Sequence, residues 1–162
     1  MVDAYLPFTI EDLRADLLIK EVVDGEKIVV GERTTVLPRK LEHPGGVFGY
    51  RIASEGKAVV YASDVSHPLT GPDPRLVDLA QGADLLIHDA HFTPEERLRY
   101  GDWGHSSWLE AVRAAQAAGA VRLALFHHAP LHDDDWLEEI ERQAQEQFAG
   151  AFLAREGLEV VV

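Results

Sequence analysis

The chain divides by its hydrophobic rhythm. Its first part strings together short apolar, β-branched runs: LLIKEVV at 17 to 23, KIVVGERTTVLPRKL at 27 to 41 and VFGYRIASEGKAVVYAS at 47 to 63. Runs of this length, broken by Gly or Pro, read as strands. Gly31 interrupts the second and Ser54-Glu55-Gly56-Lys57 the third, so each of these predicts a hairpin. Ahead of them, Thr9 stands three residues before Asp12, which predicts a short capped turn or helix within residues 1 to 16.

After Asp64 the period changes. A Pro/Gly loop leads to a helix at about 74 to 81, a strand ADLLI at 83 to 87 and a helix start at Thr93-Pro94-Glu95-Glu96. A long helix from about Ser106 to Ala118 stops at Gly119, VRLALF at 121 to 126 reads as a buried strand, and a further helix covers about Asp133 to Phe148. LEVVV at 158 to 162 predicts a last strand. The pattern is an antiparallel front joined to a β-α-β-α back, an α/β protein with a mixed sheet. No internal repeat, low-complexity tract or linker divides it.

Composition narrows the chemistry. At 162 residues the chain suits a single domain over 1 to 162, since a chain of this size buries about 70% of its unfolded surface. Its 15 Lys and Arg face 28 Asp and Glu, a formal charge of −13, so its field repels nucleic acid and anionic membrane. There is no cysteine, which leaves His and carboxylate as the metal-ligating side chains. The start of the chain carries no basic and apolar leader pattern, and no apolar run approaches about 18 residues, so a soluble cytoplasmic protein is expected.

Three apolar runs end in residues of ligand type. VVYAS is followed by Asp64, ADLLI by His88 and Asp89, and LALF by His127 and His128. Sites in open α/β sheets form outside the carboxyl ends of strands, so these ends are expected to converge. His43 sits in LEHPGGVFGY, where Pro44, Gly45 and Gly46 permit a sharp turn, and His105 precedes Ser106, read as the N-cap of the following helix. Singly, each residue has an ordinary role as a turn-former, a cap or a backbone-bonded loop histidine. Together they change the balance, because ending several central strands in ionisable groups costs several kcal/mol unless those groups have partners. His91 is left without a role. His67 and His132 read as solvated loop positions, and Asp133-Asp134-Asp135 as cap and dipole partner of the last helix.

These residues resemble a known family. The ordered motifs H-P-G-G-x-x-G-Y-R (43 to 51), V-V-Y-A-S-D (59 to 64), L-L-I-H-D-A (85 to 90), G-H-S (104 to 106) and L-x-L-F-H-H (123 to 128) resemble the second half of a metallo-β-lactamase-fold hydrolase. The branch is the phosphodiesterase-like one that includes the tRNA 3′-processing endonucleases, and the match runs from about His43 to the C-terminus. The resemblance implies half of a four-layer αβ/βα sandwich, with helices on one face of a mixed sheet. It also implies two divalent metals, zinc first, with manganese or iron as alternatives. His43 and His127 would each bind one metal and Asp64 would bridge them. Asp89 and His105 would be catalytic near the scissile bond and leaving group, and His128 would support the site or touch substrate.

The family's H-x-H-x-D-H motif is absent from this sequence. Three ligands over two metal positions predict weak metal binding by the lone chain and a site completed from elsewhere: a separate chain carrying the first half, self-association with exchanged elements, or a longer parent. An apolar sheet face through Val60, Leu86 and Leu125 would then be left open. The tRNA enzymes of the branch carry a long arm between the Gly-Tyr strand and the bridging Asp, where this chain has only ASEGKA, so a small phosphodiester or ester substrate is expected rather than RNA. The competing expectation is a non-catalytic partner or oligomerisation module that keeps the half-fold without its chemistry.

Overall fold

Seven strands lie side by side in chain order in one sheet. They are β1 (Ile28–Val30), β2 (Thr34–Leu41), β3 (Val47–Ser54), β4 (Lys57–Ala62), β5 (Leu85–Asp89), β6 (Leu123–Phe126) and β7 (Ala151–Leu153). The computed structural model describes residues 17–162; the capped turn or helix expected within residues 1 to 16 lies outside them. β1 to β4 pair antiparallel, and β4 to β7 pair parallel. Glu55 and Gly56 close the β3–β4 hairpin with φ of 51° and 83°, the two-residue turn whose twist matches that of paired strands.

Each parallel step is crossed by helix: α1 (Pro74–Ala80), then α2 (Pro94–Arg99) with α3 (Trp108–Ala118), then α4 (Asp134–Gln147). Crossovers of one hand that advance one strand at a time lay their helices on one face. Asp73 caps α1, Thr93 and Glu96 form a capping box on α2, and Asp133 caps α4 with Asp134 and Asp135 in its first turn. The aspartate run is therefore the cap and dipole partner it was expected to be. Gly119 ends α3 in the left-handed conformation, but its N-cap is Ser107, in a capping box with Glu110, rather than Ser106.

Val60, Leu86 and Leu125 do not line an open face. They are fully buried, packed with Leu79, Val112 and Ile140 of α1, α3 and α4. The alternate strand positions form the other face, where Ile52, Tyr61 and Phe126 remain 39%, 37% and 36% exposed. The open face is thus the opposite one from that of Val60, Leu86 and Leu125.

Two predicted strands are not strands. LEVVV at 158 to 162 lies outside the sheet, because the chain re-enters directly after α4: Leu123 pairs with Ala151, and β7 takes the place beside β6. Gly150 allows that tight entry, since a Cβ there would stand 2.6 Å from the Val121 carbonyl oxygen. LLIKEVV at 17 to 23 likewise runs outside the sheet, and β1 holds the position beside β2. No helix among the described residues is long and apolar enough to cross a membrane.

Candidate metal centre

β2 and β4 both run antiparallel to β3, and β4, β5 and β6 are parallel, so four strands point their C-termini to one end of the sheet. Each end delivers a side chain suited to binding metal. His43 follows β2, Asp64 follows β4, Asp89 closes β5 and His127 comes directly after β6. His127 Nε2 stands 3.3 Å from Asp64 Oδ1. The backbone is strained at both residues, with left-handed φ of 54° at Asp64 and 61° at His127. Such conformations cost about 1–3 kcal/mol each and cluster at functional sites.

His105 arrives from the loop before α3. That loop is zipped to the segment after β5: the Phe92 amide donates to the Ser106 carbonyl at 3.1 Å and the Trp108 amide to the Phe92 carbonyl at 3.0 Å. The zipper brings the His91 and His105 rings to 4.4 Å between centroids, with His127 at 5.0 Å from His105 and 5.3 Å from His91. His43 packs on the outer side of His105 at 5.8 Å. Gly104 permits this approach; a Cβ there would lie 2.3 Å from Pro44 Cδ and 2.6 Å from His43 Nδ1.

Hydrogen bonds behind the rings set their tautomers. His105 Nδ1 donates to Asp89 Oδ2 at 2.9 Å, His43 Nδ1 to the Gly104 carbonyl at 2.9 Å, and His91 Nδ1 to the His127 carbonyl at 2.9 Å. A carbonyl or ionised carboxylate only accepts, so each ring carries its proton on Nδ1 and presents a bare Nε2 lone pair. Histidines that bind metals are characteristically held this way. Asp89 is fully buried, and its other oxygen accepts from the His91 and Ser106 amides at 3.0 and 3.2 Å. Its hydrogen bond to His105 raises the pKa of that imidazole above the usual value, against the opposing effect of burial. Burial lowers the pKa of His91, reinforced by the neighbouring His105 and His127 and opposed by its bond to the His127 carbonyl. Imidazole nitrogens and carboxylate oxygens without thiolate form a donor set that fits zinc, manganese or iron.

All five residues singled out from sequence, His43, Asp64, Asp89, His105 and His127, lie at this end of the sheet. Asp89 reaches the centre through the His105 ring and the His91 amide. His91 was missed, although its i, i+2 spacing from Asp89 is a usable signal, because alternate residues of an extended segment share a face.

His67 and His132 are not solvated loop residues; only 4% and 7% of their surfaces are exposed. The Asp73 amide donates to His67 Nδ1 at 2.9 Å, so His67 Nε2 donates to His88 Nε2 at 3.1 Å, and His88 Nδ1 donates to the Asp89 carbonyl at 2.6 Å. Burial, with the nearby His88 and Arg97, takes the His67 pKa down to about 3, and burial lowers that of His88 as well. His132 Nε2 bonds Glu96 at 3.0 Å, tying the loop after β6 to α2. His128 turns away from the centre to line a cleft with Asp134, Leu137 and Arg155.

Comparison with known proteins shows the family and the fold. A family model described as a beta-lactamase superfamily domain matches residues 4–128, so the match begins ahead of His43 and ends at the residue after His127. The chain belongs to this superfamily, and its likeness falls in the phosphodiesterase and tRNase Z-like branch. Ribonuclease Z of Myxococcus xanthus (strain DK1622) is 34% identical over 139 residues, covering 86% of this chain and 43% of the relative. Ribonuclease Z of Natronomonas pharaonis is 41% identical over 103 residues, 63% of this chain and 32% of the relative. The chain thus spans less than half the length of these relatives. Among solved structures, the metallo-beta-lactamase fold protein YhfI from Bacillus subtilis superposes with a TM-score of 0.70 at 27% identity, over 85% of this chain and 53% of that one. A diphosphatase from the PhnP family gives 0.62 at 26% identity, over 85% and 46%. The mixed sheet with its helical layer matches about half of these metallo-β-lactamase-fold structures.

Proposed function

We propose that this chain supplies one half of a dinuclear, metal-dependent hydrolase acting on a small phosphodiester, with the site completed by a half bearing H-x-H-x-D-H on a separate partner chain. The observation that carries this reading is the convergence of four strand ends, two of them strained, on a cluster of imidazoles in which His43, His91 and His105 present a bare Nε2. In the completed site His43 and His127 would each hold one metal and Asp64 would bridge them. Metal there would polarise the phosphoryl oxygen and lower the pKa of a coordinated water to near 7. His105, once protonated at Nε2 to the imidazolium that Asp89 favours, would pass that proton to the leaving oxygen and return to its neutral form. Asp89 holds that ring in register and is a positioning residue.

A small substrate is favoured by three observations. The β3–β4 connection is a two-residue turn with no arm to grip RNA, the net charge is −13, and one structural neighbour is a diphosphatase. The partner half would cover the sheet face of Ile52, Tyr61 and Phe126.

The test is hydrolysis of bis-p-nitrophenyl phosphate with zinc or manganese, by the chain alone and with a half carrying H-x-H-x-D-H. Turnover by the pair, lost in Asp64→Ala and His127→Ala, is expected. Turnover that survives Asp64→Ala, or none with any such half, would overturn the reading.

A further inference from the structure

His91 belongs to no motif carried over from the family, yet it is central to the closest grouping of ligand atoms in the centre. One ligand atom each from His91, His105 and His127 lies within 4.8 Å of the other two, and all three residues are partly buried. His43 stands outside this triangle, behind His105.

We propose that His91, His105 and His127 form a mononuclear three-imidazole site for zinc or a similar borderline divalent cation, carried complete by this chain without a partner half. The inference deepens the function proposed above and rests on it for the association of metal with this end of the sheet.

Three arguments support the assignment. The first is chemical: three neutral imidazoles plus water is an established ligand set for zinc with an open position. The second is tautomeric. The Nδ1–H of His91 is committed to the His127 carbonyl and that of His105 to Asp89, leaving both Nε2 lone pairs bare. The His91 bond joins one ligand to the backbone of another, so the two cannot move independently. The third is geometric. A tetrahedral ion at about 2.0–2.1 Å from each nitrogen needs nitrogens about 3.4 Å apart, so separations of up to 4.8 Å close by side-chain rotations of about an ångström. Asp64 beside His127 and Asp89 behind His105 supply negative charge that favours a cation among the three imidazoles.

This site would hold one ion on the lone chain, where three ligands spread over two positions predict only weak binding. In a site completed by a second half with its own ligands, His105 Nε2 would be free for the proton-transfer role proposed above.

The purified full chain is titrated with zinc against a chromophoric chelator and with cobalt(II) in the visible, and its histidines are read by 15N NMR. One equivalent is expected, with cobalt bands of a four- or five-coordinate ion and zinc-dependent shifts at Nε2 of His91 and His105. His91→Ala should weaken binding by at least about tenfold and Asp89→Asn by about 10–100-fold, as for groups that orient ligands, while His43→Ala should change it less than about threefold. Should His91→Ala fail to fold, the 15N shifts of the parent chain decide the matter. Zinc affinity unchanged in His91→Ala, equal losses in His43→Ala, or no binding at tens of micromolar zinc would each overturn the inference. None of these outcomes touches the proposed hydrolase, whose own test is turnover by the completed pair.

Discussion

At the scale of single residues, the buried His67–His88 pair makes a pH prediction whose sign is fixed. In the folded chain His67 binds its proton only near pH 3, whereas an unfolded histidine does so near 6.5. The unfolded state therefore holds more protons throughout that window, and stability falls as pH drops from about 6.5 towards 3, then levels off. His88 acts in the same direction. The loss from His67 alone should be on the order of a few kcal/mol, read by urea unfolding at several pH values. His67→Asn should be less stable at neutral pH yet show a shallower acid slope. Gly104→Ala makes a second prediction. A methyl group 2.3 Å from Pro44 Cδ and 2.6 Å from His43 Nδ1, on a backbone with φ of 87°, must push the His43 ring away. A cost of about 1–3 kcal/mol is expected, with loss of the His43 Nδ1–H signal from its hydrogen-bonded position. His43, Asp64, Asp89, His105 and His127 were legible because each breaks an apolar run or adjoins a cap or glycine turn. The burial of His67 and His132 was not, because it depends on Asp73 and Glu96 closing over them, and no local pattern encodes those contacts.

At the scale of elements, the start of α3 separates two neighbouring serines. Ser107 caps the helix, and Ser106 instead donates its hydroxyl to the Val65 carbonyl at 2.6 Å, fastening the His105 loop to the segment after β4. Ser107→Ala should cost about 1 kcal/mol of stability. Ser106→Ala should leave helix content unchanged in circular dichroism but broaden the His105 imidazole resonances; unbroadened resonances would show that the loop is held without this bond. Helices were easy to place because their ends carry their own chemistry: Asp73, Thr93, Asp133 and Gly119 each satisfy or terminate backbone groups locally. Strands were less legible, because a strand exists only where a neighbour offers a ladder. Leu158 to Val162 has the composition of a strand, but β7 already stands beside β6, and Val161 is left 90% exposed.

At the scale of the whole molecule, the sheet has one face under helices and one bearing partly exposed aromatic and aliphatic side chains. If that second face receives the partner half, hydrophobic dye should bind the lone chain, and the pair Tyr61→Glu with Phe126→Glu should abolish both dye binding and association in sedimentation. Leu86→Ala, on the covered face, should instead lower stability by about 2–5 kcal/mol. Dye binding untouched by the double substitution would place the exposed surface elsewhere. The left-handed backbones of Asp64 and His127 bear on a different question, whether such a chain still uses its centre. Asparagine tolerates that conformation at least as well as either residue, so the double variant Asp64→Asn with His127→Asn should keep or slightly raise the melting temperature while losing metal. Under drift without function, nothing in folding would hold an aspartate and a histidine at those two positions. Unchanged melting in the double variant would show that architecture does not account for the two residues, and the accompanying loss of metal would tie them to the centre.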